Sequence, residues 1–201
     1  MAENIHPVFN RMVSLEDRCQ LLGQRPLCLW LCGLSGSGKS TIALHLEKKL
    51  YEMGYMAQVL DGDNIRSGIN ANLGFSQEDR LENNRRIAEI TKLYNQSALI
   101  TINSFISPTH SIREMSRNII GEPFYREIYV KASLETCEKR DVKGLYAKAR
   151  AGQIKGFTGI DSLFEEPNAP YLVLNTETNS IDRCVDILLE SILKDISLDK
   201  K

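Results

Sequence analysis

The chain has 201 residues, of which 42% are hydrophobic and 25% charged, and its formal net charge is −1. This length favours one domain with a substantial core. The near-neutral charge gives no reason to expect a nucleic-acid or membrane surface, so any anion must bind in a local pocket. Five scattered cysteines without a CxxC pair favour reduced, buried thiols. No apolar run has the length of a signal peptide or membrane span, and we expect a cytoplasmic protein.

The predicted elements alternate between strands and helices. Residues 1–13 show no periodicity and are interpreted as a flexible arm, which a short helix over 14–23 follows. Strands are predicted at 27–33, 57–61, 98–106, 126–133 and 171–176, and longer helices at 41–54, 76–95, 110–120, 134–140 and 181–196. This order predicts an α/β fold with a mostly parallel five-stranded sheet and helices on both faces. The Gly-, Lys- and Arg-rich stretch 144–159 does not fit the alternation and is interpreted as a mobile insertion over a site.

A phosphate-binding loop is predicted at GLSGSGKS (33–40), which matches G-x-x-x-x-G-K-[ST] between a predicted strand and helix. Glycines let backbone N–H groups turn toward phosphate oxygens, and the helix N-terminus adds partial positive charge. Lys39 is expected to reach the β- and γ-phosphates and Ser40 to ligate Mg²⁺. The predicted ATP-binding residues here are Gly33, Leu34, Ser35, Gly36, Ser37, Gly38, Lys39, Ser40 and Thr41. No NKxD guanine motif is present, which favours a small-molecule kinase over a GTPase.

Two carboxylates follow the second predicted strand, where ligands bind in open α/β sheets. One of Asp61 and Asp63 can deprotonate or orient an acceptor hydroxyl while the other supports Mg²⁺. The alternative is that both cap the helix that begins near Asn64.

Two arginines and a phenylalanine come next in the chain. Arg66 and Arg80 suit phosphate or sulfate oxygens. Asn83 is predicted to share a helix face with Arg80 because it lies three residues later. Phe75 can stack on a planar ring, or it can anchor its loop in the core.

Five segments together resemble the adenylylsulfate kinase family: DGDNIRSGINANLGFSQEDRLENNRRIAE, GLSGSGKST, SFISP, RDVKGLYAKARAGQIKGFTGID and EEPNAPYLVL. The resemblance covers about residues 21–185. It implies transfer of the γ-phosphate of ATP, with Mg²⁺, to the 3′-hydroxyl of adenosine 5′-phosphosulfate, which gives 3′-phosphoadenylyl sulfate for sulfate assimilation. It also implies a P-loop NTPase three-layer sandwich over 27–201, a mobile lid at about 144–160, an arm and short helix over 1–26, and a homodimer.

The resemblance assigns roles by position in the family motifs. Lys39, Asp63 and Ser107 are implied in catalysis, and Ser40 and Asp61 in metal binding. Ser107 is the position commonly assigned as a phosphoserine intermediate, and the alternative is that it only binds the acceptor alongside Ile106. The implied acceptor site comprises Asp63, Arg66, Phe75, Arg80, Asn83, Ile106, Ser107, Lys143, Gly156 and Phe157, with Phe157 opposite Phe75 across the adenine.

Other residues of these segments carry weaker expectations. Arg140 is assigned to ATP, and Lys148 or Arg150 either neutralises transferring charge or is solvated. Thr109 and His110 depart from the aromatic and basic residues that often follow SFISP in the family, which puts a local anion contact in doubt.

Two alternatives to this kinase remain in view. One is a P-loop kinase that acts on a sugar or a nucleotide. The other is a catalytically silent homologue, which Lys39, Asp63 and Ser107 argue against. Cys137 and Trp30 are expected to be core residues, and His45 has no partner that would make it catalytic.

Overall fold

The computed structural model describes Val8 and residues 11–198. Five parallel strands form one sheet in the order β2-β3-β1-β4-β5. They are β1 (Cys28–Cys32), β2 (Ala57–Asp61), β3 (Ile100–Ser104), β4 (Tyr125–Lys131) and β5 (Leu172–Asn175). The predicted fold class is confirmed, and every predicted strand is present with ends shifted by at most two residues. Most of the arm predicted over 1–13 lies outside the described residues.

Eight α-helices occur in the described residues. They are α1 (Leu15–Leu22), α2 (Lys39–Glu52), α3 (Gly62–Arg66), α4 (Gln77–Gln96), α5 (His110–Ile120), α6 (Leu134–Arg140), α7 (Leu145–Arg150) and α8 (Ile181–Ile196). The predicted serine caps are confirmed: Ser14 accepts from the N–H of Asp17, and Ser76 accepts from that of Asp79. Each cap satisfies one otherwise unpaired N–H group of the first helical turn. No helix in the described part of the chain has the length and apolarity needed to cross a bilayer.

The central strand β1 is buried on both faces because its side chains alternate between two cores. Leu29 and Leu31 join the core that contains side chains of α2 and α8. Cys28 and Trp30 join the core that contains side chains of α4. This two-sided burial places the carboxyl end of β1, where the phosphate-binding loop begins, in the middle of the sheet edge.

The stretch 144–159 differs from the prediction because its first part forms the helix α7. Tyr146 and Ala149 of this helix pack with Phe157, Cys137 and Ala132 into a third apolar cluster. Two apolar residues three positions apart share one helix face, which is enough to dock so short a helix. Whether this segment moves as a lid remains a prediction.

All five cysteines are free and buried, as predicted. Burial raises the pKa of the Cys32 thiol to about 12 and also raises that of Cys137, so both stay protonated near neutral pH. Their role is in the core, as expected for Cys137.

Candidate active site

The phosphate-binding loop requires glycine at its first position. A Cβ at Gly33 would lie 2.4 Å from the carbonyl oxygen of Val130 in the adjacent strand β4. Gly36 and Gly38 have φ values of 78° and 106°, in the region that glycine adopts without a steric penalty. The loop therefore passes close against β4 and enters α2 at Lys39, two residues before the predicted start of this helix.

Lys39 is buried, with 8% of its surface exposed. Its Nζ donates to the carbonyl oxygens of Gly33, at 3.0 Å, and Leu34, at 2.7 Å. Burial is the main cause that lowers the pKa of Lys39 to about 8, and the positive charge of Lys143 acts in the same direction. An ammonium group in this environment is stabilised by a phosphate anion, which is the ligand that the loop predicts.

Three oxygen-bearing side chains meet beside Lys39. The hydroxyl of Ser40 donates to Oδ2 of Asp61 at 2.6 Å and lies 3.2 Å from the hydroxyl of Ser104. The described residues contain no group of three or more His, Cys, Asp or Glu side chains that would hold a metal alone. Mg²⁺ prefers oxygen ligands and is commonly held by one or two carboxylates together with substrate phosphates. The donor set of Ser40 and Asp61 therefore fits Mg²⁺.

Asp61 and Asp63 have different environments. Oδ1 of Asp61 accepts from the N–H of Asp63 at 3.1 Å, so Asp61 caps α3 while its other oxygen bonds Ser40. The capping alternative is thus correct for Asp61 and compatible with metal binding. The side chain of Asp63 is 71% exposed and forms an ion pair with Lys143, which follows α6. The structure brings both predicted acids and Lys143 to one end of the sheet.

Arg66 and Phe75 form a contact across the loop that joins α3 to α4. The guanidinium of Arg66 lies 4.5 Å from the centre of the Phe75 ring, and its Nη1 donates to the carbonyl oxygen of Gly74 at 2.7 Å. Phe75 is 67% exposed, so the interpretation of this residue as a core anchor is wrong. An exposed ring fixed by a cation on one side presents its free face for stacking.

Arg80 connects this loop to the segment after α7. Its Nη1 donates to Oγ1 of Thr158 at 2.7 Å, its Nε donates to the carbonyl oxygen of Phe75 at 3.0 Å, and its Nη2 donates to that of Gly156. Burial lowers the pKa of Arg80. The guanidinium borders a cleft of about 590 Å³ lined by Phe75, Ser76, Gln77, Arg80, Lys155, Gly156, Asp161, Ser162 and Leu163.

Phe157 is more buried than expected of a ring that stacks on an adenine. Only 8% of its surface is exposed, and its ring packs edge-on against that of Tyr146, with 4.9 Å between the ring centres. The backbone N–H groups of Gly156 and Phe157 donate to the carboxylate of Asp161, which fixes the turn. Tyr146 in turn donates its hydroxyl proton to the carbonyl oxygen of Ser35 at 2.9 Å, which links α7 to the phosphate-binding loop.

Asn83 and Arg140 each support a different loop. Oδ1 of Asn83, which is buried, accepts from Asn70 at 3.0 Å and so holds the loop between Arg66 and Phe75. Arg140 donates to the carbonyl oxygen of Thr176 at 2.7 Å and to that of Gly36 at 3.3 Å. Arg140 is therefore next to the phosphate-binding loop, while Asn83 supports the loop between α3 and α4.

Ser107 follows Ile106 at the end of the SFISP segment and has a φ of 46°. Its hydroxyl lies 2.9 Å from Nε1 of Trp30 and 2.8 Å from Oδ1 of Asn84. Sequence reasoning missed these two contacts, since Trp30 was interpreted as core alone and Asn84 gave no signal. The carbonyl oxygen of Ile106 accepts from the N–H of Gly33 at 3.4 Å, which connects this turn to the phosphate-binding loop.

The residues that follow SFISP have structural partners. Thr109 caps α5, since its Oγ1 accepts from the N–H of Ile112 at 3.4 Å. Arg113 is fully buried and lies 3.3 Å from the carboxylate of Glu127. Thr109 therefore has a capping role, and Arg113 forms a buried ion pair.

The two basic residues of α7 do not enter the site. Arg150 is ion-paired with Glu138 at 2.6 Å, and Lys148 is exposed. His45 lies 3.3 Å from Asp182 on the exposed side of α2. The solvated interpretation of Lys148 and Arg150 agrees with this placement.

The sequence and the fold were compared with known proteins. A family model described as adenylylsulphate kinase matches residues 25–175. The adenylyl-sulfate kinase of Phocaeicola vulgatus is 59% identical over 191 residues, which is 95% of this chain and 94% of that protein. That of Bacteroides thetaiotaomicron is 56% identical over 193 residues, 96% of each chain.

A solved structure resembles most of this chain. It is that of a Mycobacterium tuberculosis APS kinase in complex with AMPPNP and APS, with a TM-score of 0.82, 43% identity, and coverage of 84% of this chain and 98% of that chain. Because the family model spans most of the chain and relatives above half identity cover nearly all of it, the chain belongs to the adenylylsulphate kinase family, whose members are kinases that phosphorylate an alcohol group.

Proposed function

We propose that this site transfers the γ-phosphate of ATP to the 3′-hydroxyl of adenosine 5′-phosphosulfate, giving ADP and 3′-phosphoadenylyl sulfate. One observation carries the proposal: the phosphate-binding loop, the carboxylates after β2 and the Arg66–Phe75–Arg80 cluster meet at the same end of the sheet. An acceptor nucleotide with an anionic tail and a free ribose hydroxyl needs this combination of cations, a ring and a carboxylate.

The donor side consists of the phosphate-binding loop and the residues near it. Lys39 would bind the β- and γ-phosphates, and Arg140 would contact the nucleotide from the side of Gly36. Mg²⁺ held by Ser40, with Asp61 as a direct or water-mediated ligand, would neutralise charge on the transferring phosphate. The family is one of ATP-dependent kinases, for which a divalent metal is generally expected.

The acceptor side is built around Asp63. Unlike Asp61, Asp63 does not cap α3, and its carboxylate is exposed. It would accept the proton of the 3′-hydroxyl once Lys143 moves from Asp63 to the substrate. Arg66 and Arg80 would bind the phosphosulfate, and Phe75 would stack on the adenine.

The other acceptor residues lie in three segments. We propose that Asn83, Ile106, Ser107, Gly156 and Phe157 complete the acceptor pocket, and that segment 144–160 closes over it to exclude water. The pair Gly156 and Phe157 would then contribute backbone groups, since the Phe157 ring is packed inside. Direct in-line transfer requires only positioning and electrostatic stabilisation, so a covalent phosphoserine is not required.

A steady-state assay tests the substrate assignment. Turnover with Mg-ATP is measured against adenylyl sulfate, AMP, shikimate and gluconate. We expect adenylyl sulfate to have the highest kcat/KM by at least about tenfold over AMP, because AMP lacks the sulfate oxygens that the arginines bind. Equal kcat/KM for AMP would refute the sulfate-specific assignment, and higher kcat/KM for shikimate or gluconate would favour another P-loop kinase.

The variant Asp63→Asn tests the proposed base. We expect kcat to fall by about 10²- to 10⁴-fold because the amide cannot take the hydroxyl proton, whereas the Kd for ATP stays within about threefold. Asp182→Asn, which changes an exposed acid of α8 that pairs with His45, is the matched control. Unchanged turnover in Asp63→Asn would remove Asp63 as the base.

We also propose that the chain forms a homodimer in the cytoplasm. Leu21 of α1 is 84% exposed, and Met12 and Val13 are exposed as well, so the N-terminal part of the chain offers apolar side chains to a second copy. A related APS kinase of Thiobacillus denitrificans, 27% identical with a TM-score of 0.64 and covering 86% of this chain but 30% of that one, is described as hexameric. Light scattering of the wild type and of Leu21→Glu tests the dimer, and a monomeric wild type would refute it.

The proposed cytoplasmic location is supported by the cysteines, because free buried thiols suit a reducing compartment.

A further inference from the structure

Ser107 has a backbone conformation that few side chains adopt. Its φ of 46° lies in the left-handed region, yet the residue is not glycine and is only 1% exposed. A residue held in a sparsely populated conformation persists only where the surrounding structure determines its position. The contacts of Ser107 therefore indicate what fixes this turn.

The hydroxyl of Ser107 is hydrogen-bonded in both directions. The indole N–H of Trp30 can only donate, so the Ser107 oxygen accepts this bond at 2.9 Å. Nδ2 of Asn84 donates to the carbonyl oxygen of Arg80 at 2.8 Å, which leaves Oδ1 of Asn84 to accept the Ser107 proton at 2.8 Å. The position of the proton follows from these partners, and the three side chains are all buried.

The backbone of the turn is fixed as well. Nη1 of Arg113 donates to the carbonyl oxygen of Ser107 at 2.8 Å, and Nη2 donates to that of Glu165 at 2.8 Å. Within the described residues, the amide N–H groups of Ile106 and Ser107 have no hydrogen-bond acceptor. These two donors remain for the substrate, while the hydroxyl is fully occupied within the protein.

We propose that Trp30 and Asn84 are positioning residues of the acceptor site, which act through the Ser107 hydroxyl to hold the 106–107 turn in place. Ser107 then serves as a structural centre of this turn and not as a nucleophile. The identity of the acceptor rests on the proposed function, but the hydrogen-bond network does not. Loss of either partner frees the strained turn to relax, and the acceptor binds less tightly.

A mutant cycle tests this role. Trp30→Phe, Asn84→Ala and Ser107→Ala are made singly, and each of the first two is combined with Ser107→Ala. We expect each of the three single variants to raise the KM for the acceptor about five- to tenfold, with the KM for ATP within about twofold. We expect each double variant to match Ser107→Ala alone within about twofold, because the shared hydroxyl is already gone.

Tyr125→Phe is the matched control for packing. The Tyr125 ring lies 5.9 Å from that of Trp30, and its buried hydroxyl has no hydrogen-bond partner in the described part of the chain. This variant alters the same aromatic cluster without touching Ser107, and we expect the acceptor KM to stay within about twofold. A change equal to that of Trp30→Phe would show that packing alone is responsible.

Other outcomes would also overturn the proposal. Effects of Trp30→Phe and Ser107→Ala that multiply in the double variant would show that the two residues act independently. Complete loss of turnover in Ser107→Ala would show that the hydroxyl takes part in the chemistry. If Trp30→Phe does not fold, as judged by circular dichroism, the Asn84→Ala and Ser107→Ala cycle decides alone. The wild type is assayed with adenylyl sulfate alongside the variants. If the wild type turns this acceptor over, a negative result in the variants counts against the positioning role and not against the proposed function.

Discussion

The lowered pKa of Lys39 predicts that ATP binding takes up a proton. Burial holds the pKa of this lysine at about 8, so raising the pH through 8 converts the ammonium to the neutral amine in the free protein. ATP phosphates favour the ammonium and return its pKa toward the ordinary value of about 10.4. The protein must therefore bind a proton together with ATP wherever the pH lies between these two values.

The size of the effect follows from the two pKa values. At pH 9 about one molecule in eleven carries the ammonium before ATP binds, so the Kd for ATP should be about tenfold higher than at pH 7. Proton uptake should be about half a proton per ATP at pH 8 and about 0.9 at pH 9. Below about pH 7 the uptake from Lys39 should vanish, because the free protein is already protonated.

Isothermal titration calorimetry measures both quantities. The non-hydrolysable analogue AMPPNP is titrated with Mg²⁺ between pH 7.5 and 9.5, in two buffers that differ in ionisation enthalpy. At pH 9 and above the terminal phosphate of the analogue is ionised before binding, so the proton uptake measured there belongs to the protein. The matched control is Lys48→Met, which removes an exposed lysine from the same helix α2 and should leave the pH dependence unchanged. A Kd for the analogue that stays constant from pH 7.5 to 9.5 would refute the burial argument.

Three substitutions test other contacts. In Gly33→Ala the added Cβ would lie 2.4 Å from the carbonyl oxygen of Val130. We therefore expect the free energy of unfolding, measured in urea, to fall by about 2 kcal/mol or more, and an unchanged urea midpoint would contradict this. In Arg80→Ala we expect the KM for the acceptor to rise by about tenfold or more, because hydrogen bonds from a guanidinium to an anion are strong, while the KM for ATP stays unchanged. Steady-state kinetics that show a change in the KM for ATP alone would refute this role. In Tyr146→Phe the loss of the bond to Ser35 should reduce the free energy of unfolding by about 1 kcal/mol, and a more stable variant would disprove the linkage of α7 to the loop.

The features that sequence predicted well are local ones. The phosphate-binding loop is a contiguous pattern, and its glycines are required by the backbone approach seen at Gly33 and the left-handed φ of Gly38. The strand β1 follows from an unbroken apolar run, and the caps at Ser14 and Ser76 follow from residues three positions apart. Each of these signals lies within a few residues along the chain.

The features that sequence missed depend on distant residues. Trp30 and Ser107 are 77 positions apart, and an apolar strand pattern contains no sign that an indole N–H will bind a hydroxyl there. The helix α7 was missed because its stretch is rich in glycine and charge, whereas its docking depends on the Tyr146–Phe157 contact. Phe157 was expected in the acceptor pocket, but burial in an apolar cluster determines where its ring lies.

The internal hydrogen bonds of the proposed site limit how strongly it can discriminate between adenylyl sulfate and AMP. Lys39 bonds loop carbonyls, Asp63 pairs with Lys143, and Arg80 donates to Thr158. A substrate oxygen therefore replaces an existing partner, so each contact contributes only the difference between two hydrogen bonds. An analogue is strongly rejected only where its binding leaves buried polar groups of the protein unpaired. When the sulfate is missing, Arg80 still has its hydrogen bond to Thr158. The preference for adenylyl sulfate over AMP should accordingly lie well below the about 10⁴-fold that unpaired buried groups produce.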